Sequence, residues 1–191
     1  SDFAFKKGAV KEGTDILAGE NELYELPTEP FSGIEQLCWS PDSRFIAYSC
    51  RKLTGKKYAF STNTEIYIYN VTTGECGMID KGSQKMDGYD TDPVWSPDGN
   101  SLAWISMERD GYEADRQRLM VACVDWSTVK EDGSGLPSVK HPETIDFKYN
   151  VTAPVWSDDS QDIYFPALAE GIQGIYKCHY GKNGEGCWER V

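Results

Sequence analysis

The stretch Met107–Arg118, MERDGYEADRQR, is the densest run of chemically capable side chains in the sequence. Glu108, Asp110, Glu113 and Asp115 alternate there with Arg109, Arg116 and Arg118 around Tyr112. Carboxylates grouped in this way suit an ammonium ion, because a charge-assisted hydrogen bond is strong and sets a fixed distance from the anchored amine to the rest of a ligand. Glu108, Arg109, Asp110 and Glu113 are the candidate ligand contacts. Two readings compete with this: the charges pair among themselves, an arginine neutralising a carboxylate to fix the loop, or the loop docks against a further domain. A second loop, Arg51–Thr64, carries Arg51, Lys52, Lys56 and Lys57 in a chain of formal net charge −12. It suits an acidic partner or a substrate carboxylate, and equally an ordinary solvated loop.

Other reactive residue types form no recognisable machinery. The two histidines, His141 and His179, stand beside no nucleophile motif, and G-x-S-x-G is absent. No catalytic residue is therefore assigned. The six cysteines include no C-x-x-C pair, so neither a zinc ribbon nor a redox motif is indicated, and no metal or cofactor is expected. Cys178 and Cys187 flank a hairpin-like turn and are candidates for a disulfide. The negative charge argues against nucleic acid, whose phosphates need the opposite sign. No apolar run approaches the roughly 20 residues of a membrane span.

The elements that must position these loops follow from an internal repeat. CWSPDSRFIAYS, from Cys38, returns as VWSPDGNSLAWIS, from Val94, and as VWSDDSQDIYFPA, from Val155, with Trp39, Trp95 and Trp156 lying 56 and 61 residues apart. That period suits a four-stranded propeller blade with long loops. Each copy reads as strand, tight turn, strand, because proline presets the turn and the aspartate bonds nearby backbone. Asp42, Asp98 and Asp158 are the recurring acids; three equivalent positions in three blades are scaffolding, since they cannot share one active site. Alternating strands follow at Glu65–Val71, Arg118–Asp125 and Gly174–Tyr180, with fourth strands expected at Cys76–Ile79, Glu143–Phe147 and Cys187–Val191. No segment carries a 3.6-residue apolar period, so the fold class is all-β: a partial β-propeller of about three four-stranded blades plus a strand of a preceding blade at Leu23–Pro27. The expected divisions are 1–33 (end of a preceding blade or an extension), 34–88, 89–149 and 150–191. The links Arg51–Thr64, Glu108–Gln117 and Leu168–Gln173 should then gather on one rim. Propellers avoid open edges, so the chain is expected to be part of a longer protein or to pair as a homodimer.

The strings WSPDSRFIAYSCRK, TNTEIYIYN, YDTDPVWSPDGNSLAWISMERDGYEADRQRL and APVWSDDSQDIYF resemble the N-terminal propeller of prolyl oligopeptidase-family serine peptidases, in the bacterial dipeptidyl peptidase and acylaminoacyl-peptidase branch. The resemblance runs from about Ile34 to Tyr180. It implies a propeller that caps an α/β-hydrolase domain with a Ser-Asp-His triad, a peptide substrate, and a serine-type peptidase activity whose residues lie outside this chain, so that the chain alone should be inactive. In some members propeller carboxylates hold the substrate's terminal ammonium; their Glu-Glu pair is not found here. The implied role is gating and substrate selection, with a Tol-like protein-binding propeller as the alternative. The implied compartment is the periplasm or outside the cell, with the cytoplasm as the alternative.

Overall fold

A computed structural model describes residues 13–20, 22–28, 33–180 and 188–191. Among these residues twelve strands form three four-stranded antiparallel meanders. The first blade comprises β1 (Leu37–Trp39), β2 (Phe45–Cys50), β3 (Glu65–Asn70) and β4 (Cys76–Met78). The second comprises β5 (Asp90–Trp95), β6 (Ser101–Ser106), β7 (Arg118–Asp125) and β8 (Ser138–Thr144). The third comprises β9 (Val155–Trp156), β10 (Asp162–Ala169), β11 (Ile172–His179) and β12 (Trp188–Arg190). The partial propeller read from the repeat is the architecture observed.

Why β2 and β6 are almost wholly apolar is explained by their burial on both faces. Phe45 and Ala47 meet Leu102 and Trp104 in the seam between the first two blades, with Ile66, Ile68 and Met120. Ala103 and Ile105 turn the other way and pack with Leu119, Ile163, Phe165 and Ala167 in the second seam. Period-2 alternation thus sends successive side chains of one strand into two different cores. Trp104 and Phe45 are fully buried, and truncating either to alanine would cost about 3–5 kcal/mol.

The repeated turn works through its serine and aspartate. Ser40 Oγ donates to Asp42 (2.7 Å) and accepts from the Phe45 amide (3.0 Å), while Asp42 also accepts from the Arg44 amide (3.1 Å). Ser96 and Asp98 repeat the pattern against Ser101 and Asn100. In the third copy Ser157 pairs with Asp159, not with Asp158. The structure therefore corrects the recurring set to Asp42, Asp98 and Asp159; Asp158 takes the place that proline holds in the other two copies. The residue after the aspartate is left-handed in all three: Ser43 (φ 60°), Gly99 (φ 74°) and Ser160 (φ 61°).

Several expectations are corrected. Loop Arg51–Thr64 contains a one-and-a-half-turn helix, α1 (Gly55–Phe60), too short to show a period in sequence. The link between β10 and β11 is no long loop but the two-residue turn Glu170–Gly171, with φ of 53° and 78° as a twisted hairpin requires. Pro166 disguised the length of β10, yet β9 pairs only with Ile163 and Tyr164, so the proline lies beyond the end of that neighbour and is tolerated. The fourth strand of the second blade is Ser138–Thr144, earlier than expected: Phe147 leaves the sheet to pack on Phe165, Tyr176 and Trp188 in the second seam. Leu23–Pro27 pairs with no strand among the described residues; Tyr24 and Leu26, with Ile16 and Leu17, cover Ile46, Tyr48 and Cys50 on the free face of the first blade. A Cys178–Cys187 disulfide involves a residue outside those described.

Candidate functional site

Three connections meet beside the first seam: Arg51–Thr64 between β2 and β3, Met107–Gln117 between β6 and β7, and Ile79–Tyr89 between β4 and β5. Asp110 joins the first two, its carboxylate accepting from Ser61 Oγ (2.8 Å) and the Thr62 amide (2.7 Å). The Gly111 amide returns a bond to Thr62 Oγ1 at 2.9 Å. Burial pushes the Asp110 carboxyl up, but these bonds outweigh it and hold the group below the usual carboxylate range. The third connection lies against the second through paired backbone bonds, Asp87 N–H to Glu108 O and Gly88 N–H to Met107 O, each 3.3 Å. Gly88 makes this approach feasible, because a Cβ there would sit 2.8 Å from Met107 Cβ and 2.9 Å from Arg109 O.

The result is a shallow, open cleft lined by Asn63, Lys85, Asp87, Glu108, Arg109 and Asp110. Three of the four candidates, Glu108, Arg109 and Asp110, thus share one cleft, while Glu113 lies aside with Oε1 3.5 Å from Tyr89 Oη. Internal pairing accounts for much of the charge. Arg109 grips Asp115 through Nη2 (3.0 Å) and Nε (3.2 Å) and lies 4.1 Å from the centre of the Tyr112 ring. The Arg109 bond holds the Asp115 carboxyl down at about 2. Glu108 is looser: half exposed, 3.5 Å from Lys85 Nζ and 3.9 Å from Arg118 Nη1. Asp87 is exposed and adds a carboxylate that no spacing cue distinguishes from any polar loop residue. The cleft brings Glu108, Asp87 and Lys85 together, with Glu108 already paired to Lys85. It contains no nucleophile–base pair.

Behind the cleft lies a more buried charged group. Lys81 Nζ reaches Glu65 Oε2 at 2.7 Å and Asp90 Oδ2 at 3.8 Å, and it donates to the Met86 carbonyl. Arg118, from the start of β7, donates to the adjacent carbonyl of Lys85. Two cations therefore hold consecutive carbonyls of the interblade link. On the innermost strand β5, Asp92 has φ 54° beside an irregularity in the ladder between Thr91 and Val94. Burial, and then the neighbouring Glu35 charge, push its carboxyl up to about 6. Sequence spacing singled out neither Asp90 nor Asp92. Among the described residues no cluster of three histidine, cysteine, aspartate or glutamate side chains is placed to hold a metal. His179 Nδ1 lies 2.7 Å from Asp162, within the third blade, and His141 is exposed on β8.

No family model matches the chain. It is 48% identical over 170 residues, 89% of its length, to dipeptidyl-peptidase 5 of Porphyromonas gingivalis, and 46% identical over 112 residues, 59% of its length, to the Porphyromonas endodontalis protein of that name. The chain spans only about a fifth of these relatives, 22% and 16% of their lengths. Among solved structures, TolB of Acinetobacter baumannii superposes with a TM-score of 0.54 at 19% identity, over 82% of this chain and 31% of that one. A puromycin-hydrolyzing peptidase of Mycobacterium tuberculosis gives 0.53 at 19% identity, over 82% of this chain and 23% of its own length. These superpositions show the propeller fold, and the sequence match supplies the kinship. The chain has the β-propeller fold and is similar in sequence to part of dipeptidyl-peptidase 5.

Proposed function

We propose that the chain is the non-catalytic, substrate-admitting part of a serine-type dipeptidyl peptidase, whose α/β-hydrolase domain lies outside it. The observation that carries this reading is the 48% identity to dipeptidyl-peptidase 5 across 89% of the chain. The cleft supplies the detail. Glu108 and Asp87 would take the terminal ammonium of a short peptide, and the rigid blades would exclude folded chains by shape. Of the sequence-derived contacts, Asp110 and Arg109 act indirectly here, since their charges are engaged by Ser61, Thr62 and Asp115. A periplasmic or secreted location belongs to the same proposal and rests on the resemblance alone.

The test is steady-state hydrolysis of a dipeptidyl-nitroanilide by the full-length protein carrying Glu108→Gln and Asp87→Asn. Losing one charge-assisted bond to the ammonium should raise KM roughly tenfold, about 1.5 kcal/mol, with kcat little changed. An unchanged KM for free-amine substrates would remove the cleft from the reading. The Tol-like alternative is favoured by one observation, the TolB superposition. It would prevail if the reading frame beyond Val191 encoded no G-x-S-x-G segment.

A further inference from the structure

Asp90, the first residue of β5, is completely buried, and neither of its carboxylate oxygens has a hydrogen-bond partner among the described residues. Its backbone is well bonded. The carbonyl accepts from Ser49 Oγ (2.5 Å) and Thr64 Oγ1 (2.7 Å), and the amide donates to Thr64 Oγ1 (2.8 Å). Asp90 thus ties the second blade to β2 and to the end of the β2–β3 link of the first. Around the carboxyl stand Lys81 of the interblade link, Glu65 of β3, Arg118 of β7, and Ser106, its partner across the β5–β6 ladder. The Ser106 hydroxyl donates elsewhere, to Met107 O at 3.4 Å. Lys81 is already in contact with Glu65, and Arg118 has Glu108 as its nearest carboxylate. Lys81 Nζ lies 3.8 Å from Asp90 Oδ2 but 2.7 Å from Glu65 Oε2, so Asp90 shares its contacting cation with a nearer carboxylate. A buried carboxylate without hydrogen bonds or its own cation is costly, and taking up a proton removes that cost.

We propose that Asp90 is carried as the neutral acid at the seam between the first two blades, and that loss of its proton loosens that seam. Burial, the largest influence, pushes the carboxyl well above the ordinary range and Glu65 pushes the same way, against the Ser106 hydroxyl, Lys81 and Arg118. The sign follows from linkage: an acid raised in the folded state binds more protons folded than unfolded, so seam stability falls as pH rises from the ordinary carboxyl range through the raised value. Acidification tightens the joint. The cleft rests on this joint, because Thr64 closes the loop that Asp110 clasps and its amide donates to Gly88 O at 3.2 Å.

The test is hydrogen exchange by mass spectrometry on peptides covering Thr64 and Gly88–Thr91 of the intact protein, across pH and corrected for intrinsic exchange. Protection in the wild type should hold at low pH and then fall by about tenfold per pH unit through the transition. Asp90→Asn, close in shape and unable to ionise, should flatten that dependence and abolish the infrared carbonyl band of a protonated carboxylic acid. Glu65→Gln, which removes a neighbouring negative charge, should move the transition to lower pH. Identical pH slopes in wild type and Asp90→Asn, or the absence of the infrared band from the wild type, would overturn the proposal.

Discussion

Ser43 and Ser160 occupy the same left-handed turn position in two blades, yet their side chains differ in use. Ser160 Oγ accepts from the Asp98 amide at 3.0 Å, tying the third blade's turn to the second's. Among the described residues Ser43 Oγ makes no such bond, so its hydroxyl offers nothing against the cost of a left-handed serine. Ser43→Gly should therefore stabilise by up to about 1 kcal/mol. Ser160→Gly relieves the same strain but forfeits an interblade bond of about 1 kcal/mol, leaving little net gain. Urea midpoints of the two variants decide it: equal shifts would mean that the interblade bond contributes nothing. The same scale shows how sequence reading succeeds and fails. Asp42 and Asp98 were legible because turn chemistry is local; Asp159 was misread as Asp158 because two adjacent aspartates fit one template. Glu108, Arg109 and Asp110 could be found as a cluster, but the clasp of Asp110 on Ser61 and Thr62 joins residues 48 or 49 apart and leaves no mark in the sequence.

Among the elements, strands buried on both faces announced themselves, as Phe45–Cys50 and Ser101–Ser106 did by apolar content alone. Outer strands and links did not. β8 carries Pro142, and its register against β7 shifts between Val121 and Cys123, so neither alternation nor composition marks its start. The link Ile79–Tyr89 reads as featureless polar chain, although it lies against Met107–Arg109 with Gly88 at the contact. Gly88→Ala drives a methyl into Met107 Cβ and the Arg109 carbonyl, and backbone must move to admit it. The expected cost is about 1–3 kcal/mol, with greater hydrogen exchange in Asp87–Arg109 and little change in the third blade. Uniform loss of protection across all three blades would show that the link is not a local support.

For the whole molecule, the two end blades differ. The leading face of the first is covered by Ile16, Leu17, Tyr24 and Leu26. The trailing face of the third exposes Ile175, whose counterparts Ile66 and Leu119 are buried in the two seams, and Val155, whose counterparts Cys38 and Val94 are half-buried there. A face of this kind associates in water unless something covers it. The 191-residue chain on its own should therefore self-associate with rising concentration, as light scattering would register, and Ile175→Lys should suppress this without altering the circular dichroism spectrum. A monomer unaffected by concentration would show that the trailing face tolerates water.

The division of β2 and β6 between two cores has a further consequence for how such proteins change over time. The middle blade supplies half of two contacts, one half formed by Leu102 and Trp104 and the other by Ala103 and Ile105. A duplicated blade would present the same two halves to its new neighbours, so blade number can grow by copying whole units while each junction keeps its existing fit. The number of blades in such a propeller is then open to inheritance in steps of one.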